Sequence, residues 1–238
     1  RQNFRPGTMA ISIGMLLSAL AMTWHLVHFH YVKFNKESMY EVSKKIILLC
    51  IPLLLSAQFI AGILNEALDL TDTNQELFIS MSHNIFGVLS IAIVVPILEE
   101  VLFRGAIEGH LLRKGWSPKW AILVSALIFG IIHGNPAQIP FAFLIGLLFG
   151  WLYYRTGSLV PGIVGHIINN SFGAWTMFTA TREELSQTTM ETLGTTITYI
   201  LLVLAIIVFI GMYLYLNKYL PKPTNIQVKA INEQDITI

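Results

Sequence analysis

The sequence predicts an all-α fold, in the form of a polytopic bundle of transmembrane helices. Hydrophobic residues make up 54% of its 238 residues and charged residues only 12%, and the mean hydropathy is +0.63. A soluble domain carries about 25% charged residues. The apolar residues also form long runs, and about 20 of them span the hydrocarbon layer of a bilayer. We therefore expect one integral membrane domain over 1–220 and a polar cytoplasmic tail over 221–238.

Seven segments are predicted to cross the membrane. The first is too long for a secretory signal peptide and ends in aromatic residues typical of the membrane interface. The third is longer than one span requires, so we expect its end after Arg104 to leave the apolar layer. The fourth and fifth are short and closely connected. In chain order the segments are 8–31, 45–67, 83–111, 118–134, 138–155, 159–180 and 194–218.

The basic residues support this succession of spans. Arg1, Arg5 and Arg182 lie on one side of the predicted bundle, together with the acidic loop at 68–82. The other twelve basic residues fall on the opposite side, which the positive-inside rule assigns to the cytoplasm. The N-terminus is therefore expected outside and the C-terminus inside. The twelve are Lys33, Lys36, Lys44, Lys45, Arg104, Arg113, Lys114, Lys119, Arg155, Lys218, Lys222 and Lys229.

Net charge and cysteine content restrict the class of protein further. The formal net charge is +1, which does not indicate a nucleic-acid partner. The single cysteine, Cys50, lies in an apolar run, so no disulfide framework is expected. The partner that the composition does indicate is the lipid bilayer.

Two adjacent carboxylates, Glu99 and Glu100, interrupt the apolar third segment. Ionisable groups at hydrocarbon depth are costly and mark functional sites, and neighbouring acids oppose each other's ionisation. Arg104 follows Glu100 by four residues, the favourable order for a helical ion pair, whereas Glu99 points about 100° away. We predict that Arg104 holds Glu100 and leaves Glu99 to act. Pro96 is predicted to kink the helix and to release a backbone carbonyl near this site.

Two later segments also carry polar residues at depth. Phe129 and His133 share a helix face, as do His166 and Asn170, whereas Asn169 points about 100° away. Taken singly, each histidine is equally well explained as a buried packing residue, and the Glu–Arg pair as a structural ion pair. Because two acids, two histidines and an amide occur together on three segments, we predict that they converge on one site.

The remaining acidic and histidine residues near these motifs are expected at the interface. Glu108 and His110 follow Arg104 and are placed at the cytoplasmic interface, where Glu108, also four residues from Arg104, would compete for that arginine. The histidines at the end of the first segment are expected in an interfacial belt rather than a metal site. They are His25, His28 and His30.

The polar set is suited to hydrolysis of an amide bond. One carboxylate can act as a base while its neighbour holds a proton, histidine can relay a proton, and an amide N–H can donate to an oxyanion. Neither a His-Glu-x-x-His motif nor a Gly-x-Ser-x-Gly motif is present. An aspartyl protease is also disfavoured, because the aspartates all lie outside the predicted spans. They are Asp69, Asp72 and Asp235.

Three motifs together resemble those of the CAAX prenyl protease and bacteriocin-processing family, also called CPBP or Abi. They are Glu-Glu-x-x-x-Arg at 99–104, Phe-x-x-x-His at 129–133 and His-x-x-x-Asn at 166–170, within 90–175. The resemblance implies an intramembrane endopeptidase on a helical bundle of about seven or eight helices. It further implies that Glu99 activates water, that Glu100 assists, and that Arg104 orients Glu100.

The resemblance also assigns roles to the other two motifs. His133 and His166 would hold or polarise the water and the scissile carbonyl, and Asn170 would help to form the oxyanion site. The family has been viewed both as metalloproteases and as glutamate-dependent proteases. In the first case Glu99, His133 and His166 would bind Zn²⁺. We favour the metal-free version, because the amide of Asn170, four residues from His166, is a poor zinc ligand.

Two further classes of function remain open. A non-catalytic scaffold would bind a partner membrane or cell-envelope protein, but it does not require two unneutralised acids. A proton-coupled transporter also uses membrane Glu and His, but it usually has internal repeats. For the protease, the resemblance implies a lipidated protein or a secreted peptide such as a bacteriocin as substrate, and the short chain favours peptide processing. We expect a bacterial plasma membrane location.

Overall fold

The computed structural model describes residues 7–32 and 42–220, and within them it contains ten helices and no strand. The predicted all-α fold is confirmed, and each of the seven predicted spans coincides with a helix. The predicted tail, Arg1, Arg5 and four of the lysines used for topology lie outside the described residues. The helices are α1 Gly7–His28, α2 Lys44–Ala67, α3 Gln75–Ser82, α4 Ile85–Arg113, α5 Pro118–Ile132, α6 Ile139–Thr156, α7 Val160–Thr179, α8 Arg182–Ser186, α9 Thr189–Leu193 and α10 Thr195–Tyr219.

Five of these helices are long and apolar enough to cross a bilayer, namely α1, α2, α4, α6 and α10. The two other predicted spans differ for separate reasons: α5 has only 15 residues, and α7 is made more polar by His166, Asn169 and Asn170. Both nevertheless pack inside the bundle, α5 against α4 and α6, and α7 against α2, α4 and α6. The two helices that are too short or too polar for a typical membrane span, α5 and α7, therefore both carry residues of the candidate site.

Contacts between distant parts of the chain define one end of the bundle, here called the basic end. Arg113 on α4 donates to the backbone carbonyl of Tyr31 at 3.4 Å. Arg155, near the end of α6, donates to the carbonyls of Asn217 and Leu220 at 2.8 and 3.0 Å and also bonds the Asn217 side chain. It thus satisfies carbonyls that the end of α10 leaves unpaired.

The other end of the bundle, here called the acidic end, is held by loop contacts. The Asn135 amide donates to Asp72 at 2.7 Å and accepts from the Thr73 backbone, so the α2–α3 loop is joined to the α5–α6 loop. Glu66 accepts from the Thr189 hydroxyl at 2.6 Å, which joins α2 to α9. The acidic loop 68–82 therefore lies on the opposite side of the bundle from Arg113 and Arg155, as the succession of spans predicts.

Helix α4 is irregular on both sides of the glutamates. Its segments Ser90–Val94 and Val101–Glu108 are π-helical, and Val95–Glu100 between them is α-helical. In a π turn the carbonyl of Ile91 would accept from residue 96, but Pro96 has no N–H. That carbonyl instead accepts from the Asn170 side chain on α7 at 2.9 Å. The prediction that Pro96 releases a carbonyl near the site is confirmed.

The packing of α7 against α4 sets the depth of the site. Leu159, just before α7, is buried against Val101 of α4, together with Leu26 and Val32 from the α1 side. The last turns of α4 therefore extend beyond the start of α7. Glu100 lies thirteen residues, or about 20 Å, before the end of α4. His166 lies only about 10 Å from the start of α7. The two side chains meet because α4 extends further toward the basic end than α7 does.

Arg155 provides a test of the basic end. Replacing it by glutamine should lower the free energy of unfolding by about 2–3 kcal/mol, because the carbonyls of Asn217 and Leu220 lose a charged donor. Thermal unfolding of the purified protein in detergent measures this, with Lys119→Gln at an exposed position of α5 as the control. Equal stability of the two variants would contradict the assigned role.

Candidate active site

The centre of the candidate site is a buried ion pair on one face of α4. Arg104 Nη1 lies 3.2 Å from Glu100 Oε1, and each side chain is 1% exposed. The pairing predicted from their spacing is therefore present. Because both charges have left water, their mutual attraction must offset a large loss of hydration, and further partners are needed to satisfy them.

His166 on α7 lies between the two glutamates. Its Nδ1 is 3.1 Å from Glu100 Oε1, and its Nε2 is 3.4 Å from Glu99 Oε2. When Nδ1 donates to Glu100, Nε2 faces Glu99 and can exchange a proton with it. Glu99 is 19% exposed, whereas His166 is 6% exposed. Of these three groups, Glu99 is the one accessible to water or to a substrate.

The Arg104 guanidinium is enclosed by aromatic rings from two other helices. It lies 4.4 Å from the ring centre of Phe129 on α5 and 5.4 Å from that of Phe149 on α6. Its Nη2 also donates to the carbonyl of Gly146 at 3.2 Å. These cation–π and hydrogen-bond contacts hold the cation in place in surroundings without water.

A glycine on α7 makes room for the buried carboxylate. A Cβ at Gly162 would lie only 2.6 Å from Glu100 Oε2, which has no hydrogen-bond partner. Glu100 therefore bonds to His166 and forms the ion pair with Arg104 through Oε1, while Oε2 points at the backbone of α7. Helix α7 can approach α4 this closely only because residue 162 has no side chain.

His133 is placed next to the site but does not contact its carboxylates. Its Nδ1 hydrogen-bonds to the Phe129 carbonyl at 2.7 Å, and its ring lies edge-on to the Phe129 ring. Phe129 in turn contacts the ring of His166, with 5.7 Å between the ring centres. The predicted convergence is therefore direct for Glu99, Glu100, Arg104 and His166, whereas His133 is linked to them through Phe129.

Asn170 lies one turn beyond His166 and is held at both ends of its amide. Its Nδ2 donates to the Ile91 carbonyl, and its Oδ1 accepts from Asn169 at 3.0 Å. Since an amide has two N–H groups, one N–H of Asn170 remains for another acceptor. Asn169, the weaker candidate in the sequence, serves here to orient Asn170.

The zinc ligand set predicted as an alternative is not assembled. No three His, Cys, Asp or Glu side chains within 7–32 and 42–220 are arranged to hold a metal ion. Glu99 and His166 are close to each other, but the His133 ring is directed at Phe129. The residues present therefore do not fit a three-ligand zinc site, because Phe129 separates the two imidazoles.

Comparisons with known proteins identify similarity over the part of the chain that contains these residues. Residues 81–172, which contain all six predicted site residues, match the family model described as Type II CAAX prenyl endopeptidase Rce1-like. Over these residues the chain is similar to the CPBP family. Its long apolar helices, together with this similarity to membrane peptidases, indicate an integral membrane protein. No solved structure matches the chain significantly.

Three bacterial proteins are similar to parts of this chain. It is 38% identical over 81 residues to the "Putative membrane peptidase YdiL" of Bacillus subtilis, covering 34% of this chain and 33% of that protein. It is 33% identical over 106 residues to the membrane-embedded CAAX protease MroQ of Staphylococcus aureus, covering 42% of each. It is 28% identical over 122 residues to the UPF0177 protein YxdF of Lactococcus lactis, covering 51% and 63%. The chain therefore spans less than two thirds of each relative.

Glu108 is a residue that the sequence analysis placed wrongly. It was expected at the cytoplasmic interface, but it is fully buried, and neither of its carboxylate oxygens has a hydrogen-bond partner. The reason is packing: a Cβ at Gly150 of α6 would lie 2.7 Å from Glu108 Oε2, so α6 covers it. Nothing in the local sequence distinguished Gly162 or Phe149 as residues of the site.

The close approach at Gly162 can be tested on helix α7 itself. Gly162→Ala should lower the free energy of unfolding by about 1–3 kcal/mol, because the new Cβ would displace Glu100. Gly173→Ala is the matched control, since a Cβ there meets nothing within 4 Å. Thermal unfolding of both variants measures the difference, and a neutral Gly162→Ala would show that the carboxylate is not held as described.

Proposed function

We propose that this protein is a CPBP-type intramembrane endopeptidase that hydrolyses a peptide bond of a membrane-associated peptide or lipidated protein. The observation that carries the proposal is the position of His166 between Glu99 and Glu100 in an almost fully buried site. A buried acid, base and proton carrier in contact are the components of general acid–base catalysis. The match of residues 81–172 to a family model described as Type II CAAX prenyl endopeptidase supports the same activity.

In the proposed mechanism Glu99 is the general base. It is the most exposed of the three contacting groups, so a water molecule can reach it, and it removes a proton as the water oxygen attacks the scissile carbonyl. The proton then passes from Glu99 to Nε2 of His166, 3.4 Å away, and His166 delivers it to the amine that leaves when the C–N bond breaks. The overall reaction consumes one water and returns both side chains to their initial protonation states.

The other site residues hold these two groups and stabilise charge. Glu100, fixed by Arg104, orients the imidazole of His166 through Nδ1. The second N–H of Asn170 and the ring of His133 are the proposed donors to the oxyanion of the tetrahedral intermediate. For His133 this requires its ring to turn from Phe129 toward the substrate.

The substrate class follows from the surroundings of the site. The site lies about 10 Å or more inside the helices, among apolar residues, so a substrate must reach it from the membrane or its interface. We propose membrane-associated peptides, including secreted peptide precursors, as substrates, with prenylated C-termini as the second class because a similar protein, MroQ, is named a CAAX protease. We further propose that the protein lies in a bacterial plasma membrane with its basic end and C-terminus in the cytoplasm.

The catalytic role of Glu99 is the first test. Glu99→Gln should reduce cleavage by about 10²-fold or more, because an amide cannot accept the proton from water. The assay follows a farnesylated CAAX peptide and an unlipidated membrane peptide in proteoliposomes. Glu183→Gln, an exposed change on α8, is the control and should keep wild-type activity. Cleavage of a substrate by wild type and Glu99→Gln at equal rates would exclude the peptidase mechanism and favour a scaffold.

Metal dependence is tested separately. We expect the purified protein to cleave its substrate after treatment with a chelator and to contain less than one equivalent of zinc, because His133 is not directed at Glu99 and His166. Elemental analysis and activity before and after chelation measure this. Loss of activity that added Zn²⁺ restores would show that His133 moves to complete a metal site.

A further inference from the structure

Asn135 is a buried polar residue that the proposed mechanism does not use. It is 0% exposed and lies in the loop between α5 and α6, two residues after His133. Helix α5 has 15 residues and is therefore about 22 Å long, whereas the hydrocarbon layer is about 30 Å thick. The turn after α5 accordingly lies inside the protein, where an amide must find its partners among protein groups.

The loop between α2 and α3 supplies those partners. Asn135 Nδ2 donates to Asp72 Oδ1 at 2.7 Å, and Asn135 Oδ1 accepts from the backbone N–H and the hydroxyl of Thr73 at 3.1 and 3.3 Å. Asp72 Oδ1 also accepts from the backbone N–H of Asn74 at 2.9 Å, which holds the acid within its own loop. The contacts of Asn135 with Asp72 and Thr73 are here called the Asn135 clamp. Loss of one partner would leave a buried polar group unsatisfied.

The backbone connects the clamp to His133. The Asn135 carbonyl accepts from the N–H groups of Gln138 and Ile139 at 2.9 and 3.1 Å, so Asn135 also begins α6. On the other side only Gly134 separates it from His133, which ends α5. Gly134 has a φ of +61°, in the left-handed region that favours glycine, and its N–H donates back to the last turn of α5. A displacement of Asn135 is therefore transmitted to His133 through a single residue.

The position of the His133 backbone bears on the proposed chemistry. The mechanism requires the ring of His133 to turn from Phe129 toward the substrate. While the backbone is held, rotation about the side-chain bonds is sufficient for that turn. Without the clamp the backbone could shift as well, and a misplacement of about 1 Å can cost about 10²-fold in rate.

We propose that Asn135 is a positioning residue that holds His133 in place for the chemical step through its clamp to the α2–α3 loop. Asn135 acts through the backbone and not through contact with the substrate. The effect on cleavage rests on the proposed peptidase function, whereas the hold on the turn after α5 does not.

Hydrogen exchange measured by mass spectrometry tests the hold on the turn and needs no substrate. Asn135→Asp places a second carboxylate against Asp72 and should accelerate amide exchange over 131–139 by about tenfold. Adding Asp72→Asn exchanges donor and acceptor, so the double variant should restore wild-type exchange. Asp69→Asn, which removes an acid of the same loop outside the clamp, is the control. Unchanged exchange in Asn135→Asp, or a double variant no slower than the single one, would overturn the proposal.

A second variant covers the case in which Asn135→Asp does not fold. Asp72→Ala removes the acceptor of the Asn135 amide from an exposed position of the loop. It should also accelerate exchange over 131–139, relative to Asp69→Asn. Exchange as slow as in the control would contradict the clamp.

Cleavage in proteoliposomes tests the positioning role. Because His133 is proposed to act on the intermediate, Asn135→Asp should lower kcat of the folded protein by about tenfold and change KM by less than about twofold. In a His133→Ala background the same change should have no further effect, because no imidazole remains to be positioned. An equal fall in both backgrounds would show a purely structural role and overturn the proposal. If the wild type cleaves no substrate, the peptidase proposal fails, and the exchange experiment still decides whether the clamp holds the turn.

Discussion

The ion pair between Glu100 and Arg104 is the interaction on which the rest of the structure depends. Breaking a buried pair costs about 3–5 kcal/mol, because the remaining charge has no water to solvate it. Each of the neighbouring helices supplies one part of its compensation. Helix α7 contributes the imidazole of His166, α6 contributes a carbonyl and the Phe149 ring, and α5 contributes the Phe129 ring. The contacts that stabilise the buried ion pair therefore also bring the candidate catalytic groups together.

Irregular backbone in α4 has the same origin. Two π-helical segments flank the glutamates, and a backbone group released inside a membrane must find another partner. For the Ile91 carbonyl that partner is the Asn170 side chain. The hydrogen bond that satisfies this carbonyl on α4 therefore also positions Asn170, a site residue on α7. The matched family range, 81–172, covers these irregular parts of α4 and most of α7. The helices outside that range, α1, α2 and α10, support this core by packing.

Much of the candidate site could be predicted from the sequence. Charged groups in an apolar run are rare enough to be noticed, and the spacing of Glu100 and Arg104 predicted their ion pair correctly. The same kind of reasoning was wrong for Glu108, because the end of α4 was expected to leave the apolar layer. It did not foresee Gly162 or Phe149 either, since a glycine or phenylalanine in a membrane helix has no distinctive local signal. Each of these residues matters through a neighbour that is remote in sequence.

The sequence by itself determined the all-α fold, the seven helical segments and the pairing of Glu100 with Arg104. It could do so because apolar run length, charge and helical spacing are local properties of the chain. Only the tertiary structure decided that His166 bridges both acids, that Phe129 separates it from His133, and that α6 covers Glu108. These outcomes depend on how deep each helix lies in the bundle and how it is rotated about its axis. Both are determined by the packing contacts of the whole bundle and not by any local part of the sequence.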